Sequence, residues 1–584
     1  MPFQVSPGVL VTERDLTTVV PNVATSIGAI AGNFQWGPVL ERISITTEND
    51  LIKTFGKPDA NTFRDVMCAT NYLAYGNNLL VVRNVSAAAR NAVVGDDDAG
   101  TAIAVKNTDD YDGKSFTDQL FVAKYPGVLG NSLKAVCIDE HGWGANVAAG
   151  AETDLQNKFK ANFDRAPGTS TDVANAGGAN DEMHVMVIDE DGLWTGTPGE
   201  VLETHGYVSK ANDAKRIDGS SNYIGTVLRN ESAYVWLGDV AELTANSSGA
   251  GSNAGVAKAG TTFKVFNNAT DMKKMPGGSL SLGVDSTGLT AGEYQTAYDL
   301  YKEPDVVDVT LVMAGGSAGL GQADARTVAA HISSMCESRK DCVAFISPHQ
   351  DSVVRTTGQT TKLAADKTAM SSSSYAVMDS AWKYQYDRYN DVFRFIPMNA
   401  DIAGLCARTD FTNDAWWSPA GYSRGVIKNI VKLSWEPTKA DRDTMYQAGI
   451  NPLITESGAG VLLFGDKTAQ TLPSAFDRIN VRRLFIVLEK AIAIAAKAML
   501  FEFNDEFTRS QFVNLVSPFL REIQGRRGIT DFKVVCDSSN NTGQVIDTNN
   551  FVGDIYIKPA RSINFIQLNF IAARTDVSFS EIGG

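Results

Sequence analysis

Hydrophobic and polar positions are most sharply patterned at the two ends of the chain. Along 481–499, apolar residues recur at 481, 484, 485, 488, 492, 495 and 499, a helical period that Ile486, Val487 and Ile494 widen. The pattern predicts a long helix buried on nearly all sides. Glu489, Lys490, Lys497 and Glu502 interrupt the stretch Leu484–Phe503, which fits a core helix and not a membrane span. A second helix is expected from Asn504 to about Gln524, with Asp505 and Glu506 in its first turn and a kink or break at Pro518. Strands follow at 554–558 and 564–571, and the tail Asp576–Ile582 alternates apolar and polar residues. At the other end, Pro2, Pro7 and Pro21 disfavour helix, while Val9, Leu10, Val11 and Thr12 favour strand. A short strand at each terminus is what strand addition between subunits requires. Val9, Leu10, Val11, Thr12, Val577 and Phe579 are therefore the candidate exchanged residues.

Between the ends the texture changes twice. Thr25–Gly32 reads as a buried strand, Trp36-Gly-Pro38 as a turn, 47–55 and 62–75 as helices, and Leu79–Val85 as a strand. From 88 to 290, Ala, Gly, Ser, Asn and Asp dominate, and short strand candidates such as Met183–Ile188 are separated by turn signals. Near 300 the pattern becomes α/β: strand Val306–Met313, a Gly-rich turn, a helix at 322–339, strand Cys342–Ile346, then a helix over 372–395 carrying Trp382, Tyr384, Tyr386 and Tyr389. Strand Val392–Ile396, helices at 399–408 and 438–447, and strand-like Val426–Leu433 complete it. The expected class is α+β multidomain. Its parts are an N-terminal arm at 1–22, a first part of the core at 23–88, an inserted β-rich, loop-rich surface region at 89–295, an α/β central domain at 296–478, an α+β C-terminal assembly domain at 479–570, and an arm at 571–584.

Composition narrows the function. The 584 residues are 43% hydrophobic and 20% charged, an ordinary folded protein. A net charge of -15 disfavours nucleic acid as a direct partner. Six scattered cysteines without CxxC spacing suggest reduced thiols in a cytoplasmic product. The N-terminus has neither the basic nor the apolar region of a signal peptide. No repeat of 20–50 residues is visible, which argues against a solenoid.

Candidate chemistry is sparse. Gly421-Tyr-Ser-Arg-Gly425 matches the nucleophile-elbow pattern around Ser423, the basis of a serine-hydrolase alternative. The five histidines, 141, 184, 205, 331 and 349, all precede it, so the order Ser, acid, His is impossible; only His331 or His349 in another order would serve. Gly315-Gly-Ser-Ala-Gly-Leu-Gly321 lies where a phosphate loop would, without its spacing or its Lys-Ser/Thr. The acidic runs 95–98, 108–110 and 189–192 lack calcium-loop spacing. The aromatic and basic mixture from Trp382 to Arg394 reads as core and not as a nucleic-acid platform. No catalytic residue, metal site or cofactor is expected. The stretch 478–533 holds ten Lys and Arg against six Asp and Glu, +4 in an acidic chain. Arg521, Arg526 and Arg527 at its helix end are candidates for a basic face.

Several motifs together carry a resemblance: Pro7-Gly-Val-Leu-Val-Thr-Glu13; Ala31-Gly-Asn-Phe-Gln-Trp-Gly-Pro38 with Phe55-Gly-Lys-Pro58, Tyr75-Gly-Asn77 and Val81-Val-Arg83; Ala403-Gly-Leu-Cys-Ala-Arg-Thr-Asp410 with Trp417-Ser-Pro-Ala-Gly421; Gly449-Ile-Asn-Pro452; and Asn480-Val-Arg-Arg483 through Phe501-Glu-Phe-Asn504. The chain resembles the tail sheath proteins of contractile-tailed bacteriophages, over its first 90 residues and most of 300–584. The resemblance implies a non-enzymatic virion protein, made and assembled in the host cytoplasm. It also implies a subtilisin-like but non-catalytic central domain, and stacked hexameric rings around an inner tail tube, in partnership with baseplate and tail terminator proteins. Terminal arms would be exchanged between subunits, and contraction would drive the tube through the host envelope without a cofactor or membrane insertion. Arg521, Arg526 and Arg527 become candidate tube-facing residues. A related alternative is the sheath of a tailocin or secretion system.

Overall fold

The computed structural model describes residues 24–95, 100–144, 150–244, 247, 251–266, 275–564 and 567. The chain divides into a main unit, 24–408 with 419–472, and a C-terminal unit, which comprises the termini, 409–418 and 473–584.

The main unit is organised by strands β1 (Gly28–Asn33), β2 (Arg42–Ile45), β3 (Leu79–Asn84), β4 (Leu311–Met313), β5 (Val343–Ile346) and β6 (Ala376–Met378). They form one sheet in the order β6-β5-β4-β1-β3-β2. All neighbours are parallel except β2 and β3. β1 is buried at every position, as expected of a parallel strand covered on both faces. Helices α1 (Glu48–Phe55), α2 (Phe63–Leu73), α3 (Ala291–Asp299) and α4 (Gln322–Arg339) accompany the sheet. α1 begins where Thr47 accepts a hydrogen bond from the Asp50 amide. α3 carries a full capping box between Thr290 and Glu293, and its Tyr294, Tyr298 and Tyr301 just beyond it are buried in the core.

Between β3 and β4 the chain makes its long excursion. The base of this insertion is clamped: the Ser86 amide donates to Ser286 Oγ at 2.7 Å, and Asn33 Nδ2 donates to the Ser286 carbonyl at 3.0 Å. Inside it, strands Gly277–Ser279, Leu133–Ile138, Glu182–Asp189 and Glu200–Ser209 form an antiparallel sheet in that order, and Val93–Val94, Phe121–Ala123 and Val235–Leu237 form another. They enclose their own apolar core. The region is less purely β than its composition suggested: helices Ala151–Asn162 and Ile224–Glu231 belong to it. Lys210 and Asp139 pair at 3.1 Å, fully buried.

Three other expectations are corrected. Residues 372–391 are not a helix: β7 (Trp382–Asp387) forms a hairpin with β8 (Val392–Pro397), the strand expected at Val392–Ile396. Trp382, Tyr384 and Tyr386 recur every second residue, a spacing that shares a face only in a strand. The alternate residues turn inward: Lys383 pairs with Asp401 at 2.9 Å, Gln385 accepts from Asn71 at 2.9 Å, and Asp387 accepts from Arg394 at 3.0 Å. Such a polar inner face hides a strand from a hydrophobicity pattern. The strand expected at Val306–Met313 spans only Leu311–Met313, because 304–306 form a turn. Strand-like Val426–Leu433 reduces to a bridge at Val426 and the short strand Lys432–Leu433.

α5 (Asn399–Thr412) and α6 (Lys439–Gln447) follow. The C-terminal unit contains α7 (Ile479–Ala496), α8 (Glu506–Gly525), β9 (Ile529–Val535) and β10 (Asp554–Pro559). Leu484, Leu488, Phe512, Val516, Leu520 and Ile523 form its core. α7 is buried all round only in its first half; Ile494 is exposed. α8 neither breaks nor stops at Pro518. The carbonyl that loses its partner belongs to Asn514, and both residues are on the exposed side, while Val516 and Leu520 hold the buried side. Asp505 is the N-cap of α8 and not part of its first turn; it accepts from the Thr508 amide at 2.8 Å.

Candidate functional site

Each enzyme-like motif is taken up by structure. Ser423 is exposed in a turn that leads into the Val426–Leu462 bridge, with no helix after it, so the strand-turn-helix context of a nucleophile elbow is missing. His331 is bonded to Asp299 at 3.0 Å, and His349 to the Leu320 carbonyl at 2.8 Å and the Asp351 amide at 3.2 Å. In the glycine-rich loop, the Gly316 amide donates to Asp65 at 2.7 Å and the Gly315 amide to Asn399 at 3.1 Å. The donors that a phosphate would need are thus engaged by side chains. A Cβ on Gly316 or Gly319 would lie 2.6 or 2.5 Å from Arg64, so these glycines let the loop close on α2. Asp189 organises its own loop, accepting from Ser132, Trp194 and Thr195. Residues 96–98 lie outside the described residues. Among the described residues, no group of His, Cys, Asp and Glu is placed to hold a metal, and no helix is long and apolar enough to cross a membrane. All six cysteines are free and buried.

The carboxyl edge of the central sheet, where α/β folds place ligands, is filled. Asp65 accepts from the Asn33 and Gly316 amides and from Tyr294, and burial pushes its carboxyl up to about 6. Asp379 accepts from Ser347 Oγ at 2.6 Å, and burial pushes it up to about 8. Burial also raises Asp401 and lowers Lys383, with their mutual attraction opposing both shifts.

The signature motifs are architectural. Arg83 is buried and donates to the carbonyls of Phe34, Gln35, Gly37 and Pro126, bracing the Trp36-Gly-Pro38 turn against the insertion; burial lowers its pKa to about 9. Gly37, at φ 98°, sits where a Cβ would meet Phe55 at 2.8 Å. Tyr75 donates to Asp401 at 3.2 Å, and a Cβ on Gly404 would lie 2.5 Å from its ring. Asn451 ties Met378 to Lys467. In the C-terminal unit, Arg483 is salt-bridged to Asp410, and Arg482 stacks over Phe476 at 4.2 Å. Two of the cations behind the local +4 are therefore buried and not displayed. These contacts also draw 409–418 into the C-terminal unit, although the sequence reading gave the whole of 296–478 to the central domain.

The C-terminal unit has exposed features of its own. Its sheet has two antiparallel strands, β9 and β10, and among the described residues neither has a second neighbour. Such a pair is marginal alone and open to strand addition. Val9, Leu10, Val11, Thr12, Val577 and Phe579 lie outside the described residues. Of the expected basic face, Arg521 and Arg527 are exposed. Arg526 is committed to a salt bridge with Asp414, a second contact with Glu522 at 3.5 Å, and the Trp416 ring. The sequence reading missed a cluster of exposed apolar side chains at the turn between α7 and α8: Leu500, Phe501, Phe503 and Phe507, exposed to 63, 105, 84 and 76%. The available signal was Phe-rich sequence around Glu502, Asp505 and Glu506 after the last core position of α7.

The chain is thus a mixed α/β protein of several domains, with the carboxyl edge of its central sheet occupied by its own side chains. Residues 25–83 match the N-terminal region of domain III of the tail sheath protein Gp18, 287–469 the phage tail sheath protein central domain, and 471–573 the phage tail sheath C-terminal domain. The chain is 35% identical to the tail sheath protein of Enterobacteria phage T4 and 33% identical to that of Vibrio phage KVP40, each over 99% of both chains. It belongs to the phage tail sheath protein family, structural virion proteins of contractile phage tails. Solved sheath tail proteins of Desulfitobacterium hafniense (14% identity, 91% of this chain and 94% of that one) and Listeria innocua (12%, 92% and 96%) share its fold, each with a TM-score of 0.52.

Proposed function

We propose that this chain polymerises as stacked hexameric rings around an inner tail tube, between baseplate and tail terminator proteins, and that shortening of the stack drives the tube through the host envelope. The observation that carries this reading is the sheet β9-β10, which among the described residues has two strands and no further neighbour, in a family of sheath proteins. In this reading the terminal arms of neighbouring copies, through Val9 to Thr12 and Val577 to Phe579, complete that sheet. Contraction is then rigid-body movement of subunits hinged on shared strands. The extended stack persists kinetically, and new contacts in the short state supply the free energy, so no cofactor is needed. The central domain serves as a subtilisin-like scaffold without catalysis, consistent with its sealed carboxyl edge. Assembly takes place in the host cytoplasm.

The test is truncation. Deleting residues 1–20 or 570–584 is expected to leave a folded, soluble monomer that forms no ribbed tubes in electron micrographs, under conditions where the full chain does. Tubes formed by either truncated chain would sink the strand-exchange reading.

A further inference from the structure

We propose that the turn Leu500–Phe507 is a docking knob for a second copy of this chain, received at the arginine end of that copy's α8. The inference rests on the polymeric reading above and adds a contact separate from the arms.

The turn is built to present its rings. Asn504 donates to the Asn550 carbonyl at 2.8 Å and to Asn541 Oδ1 at 3.2 Å. Arg509 clamps both oxygens of Asn504, at 2.9 and 3.0 Å, and Asp505 caps α8. The backbone is thus fixed while the side chains are in water. Phe501 has φ 71°, a conformation costly for a bulky residue and one that persists where surrounding structure holds it, characteristically at functional positions. Held aromatics lose little entropy on docking. At about 150–250 Å² each, three phenylalanines would bury about 600 Å² with Leu500 in addition, close to one side of a standard interface.

Charge selects the occupant. Glu502, Asp505 and Glu506 lie among the rings, so the receiving surface should be cationic at its rim. The chain as a whole is at -15, but it exposes Arg521 and Arg527 at the far end of α8, beside the already paired Arg526. The 20 residues of α8 place the two ends about 30 Å apart. A knob at one end of an element and its complement at the other make a heterologous, head-to-tail contact, the kind that propagates into rings or helices.

Disulfide trapping tests this directly, because all six native cysteines are buried. A full-length chain carrying both Phe503→Cys and Arg527→Cys should give a ladder of cross-linked multimers under mild oxidation, since the two sites are too far apart to close within one chain. Mixing the two single variants should give dimers and nothing larger. Arg521→Glu with Arg527→Glu should reduce cross-linking from Phe503→Cys at least tenfold against a cysteine placed at the exposed, unobstructed Gly525, and Glu502→Lys with Glu506→Lys should restore it. Tubes without a ladder would overturn the knob and leave the polymeric reading standing; neither tubes nor a ladder would overturn both. If Phe501→Ser with Phe503→Ser polymerises normally but releases the tube protein, the occupant is the tube and the proposal fails.

Discussion

The two units stand out for different kinds of difficult residue. The main unit buries charge: Lys383 and Asp401 are fully enclosed, and Asp65 and Asp379 sit under the sheet's carboxyl edge, hydrogen-bonded to neighbouring amides and hydroxyls. The C-terminal unit exposes grease: Leu500, Phe501, Phe503 and Phe507 stand in water beside a sheet of two strands. Each is expensive for an isolated molecule. A buried ion pair is already compensated within the chain, whereas an exposed aromatic cluster is compensated only by a neighbour. The first unit is finished when the chain folds. In the proposed polymer, the second is finished only by a neighbouring copy.

That contrast can be broken at its strongest point first. Lys383→Ala leaves Asp401 buried without its cation and should cost about 3–5 kcal/mol in denaturant unfolding of the main unit. The double change Lys383→Met, Asp401→Leu should recover part of the loss. Within the C-terminal unit, Leu520→Ala should cost about 2–5 kcal/mol, while Phe503→Ala, a larger truncation, should stay within about 0.5 kcal/mol in the monomer and act only on assembly. Equal losses at the two positions would erase the distinction between core and display.

The buried carboxyls give the main unit a pH signature. Burial raises Asp379 to about 8, so the folded chain holds that proton more tightly than the unfolded chain does. Its contribution to stability is complete below the ordinary carboxylate value and is lost as pH rises through about 8; Asp65, raised to about 6, adds the same sign over a narrower window. At about 1.4 kcal/mol per pH unit, the change between pH 4 and 8 amounts to a few kcal/mol. Melting temperature measured across that range should fall, and Asp379→Asn should flatten the fall. A slope unaltered by Asp379→Asn would show that the carboxyl is ionised in the fold. The smallest effects belong to the displayed turn. Asp505→Ala should cost about 1 kcal/mol through the lost cap, and Phe501→Gly should leave monomer stability unchanged or raise it by up to about 1 kcal/mol, because glycine adopts φ 71° freely.

Much of this was legible in sequence where one physical signal dominated. α4 starts and ends where its helical period does, Thr47 caps α1 as its spacing requires, and the apolar run Leu79–Val85 is a buried strand. The failures share a cause. In β7 the polar residues Lys383, Gln385 and Asp387 are buried because they find partners in Asp401, Asn71 and Arg394, which lie on other elements of the fold, so the pattern suggested a helix. Membership of 409–418 in the C-terminal unit rests on ion pairs with Arg483 and Arg526, equally invisible locally. The Phe501 turn was read as the end of a helix because hydrophobicity alone cannot tell a residue awaiting a partner from one already covered.

The Ser86–Ser286 clamp has an evolutionary and practical consequence. A long excursion that leaves and re-enters the fold at a clamped base, and is braced again where Arg83 reaches the Pro126 carbonyl, can be lengthened or shortened in its outer loops with little beyond a logarithmic change in closure entropy. The insertion is thus a head whose outer loops can vary on a fixed neck. The same junction would accept a foreign domain, repeated once for every copy of the chain.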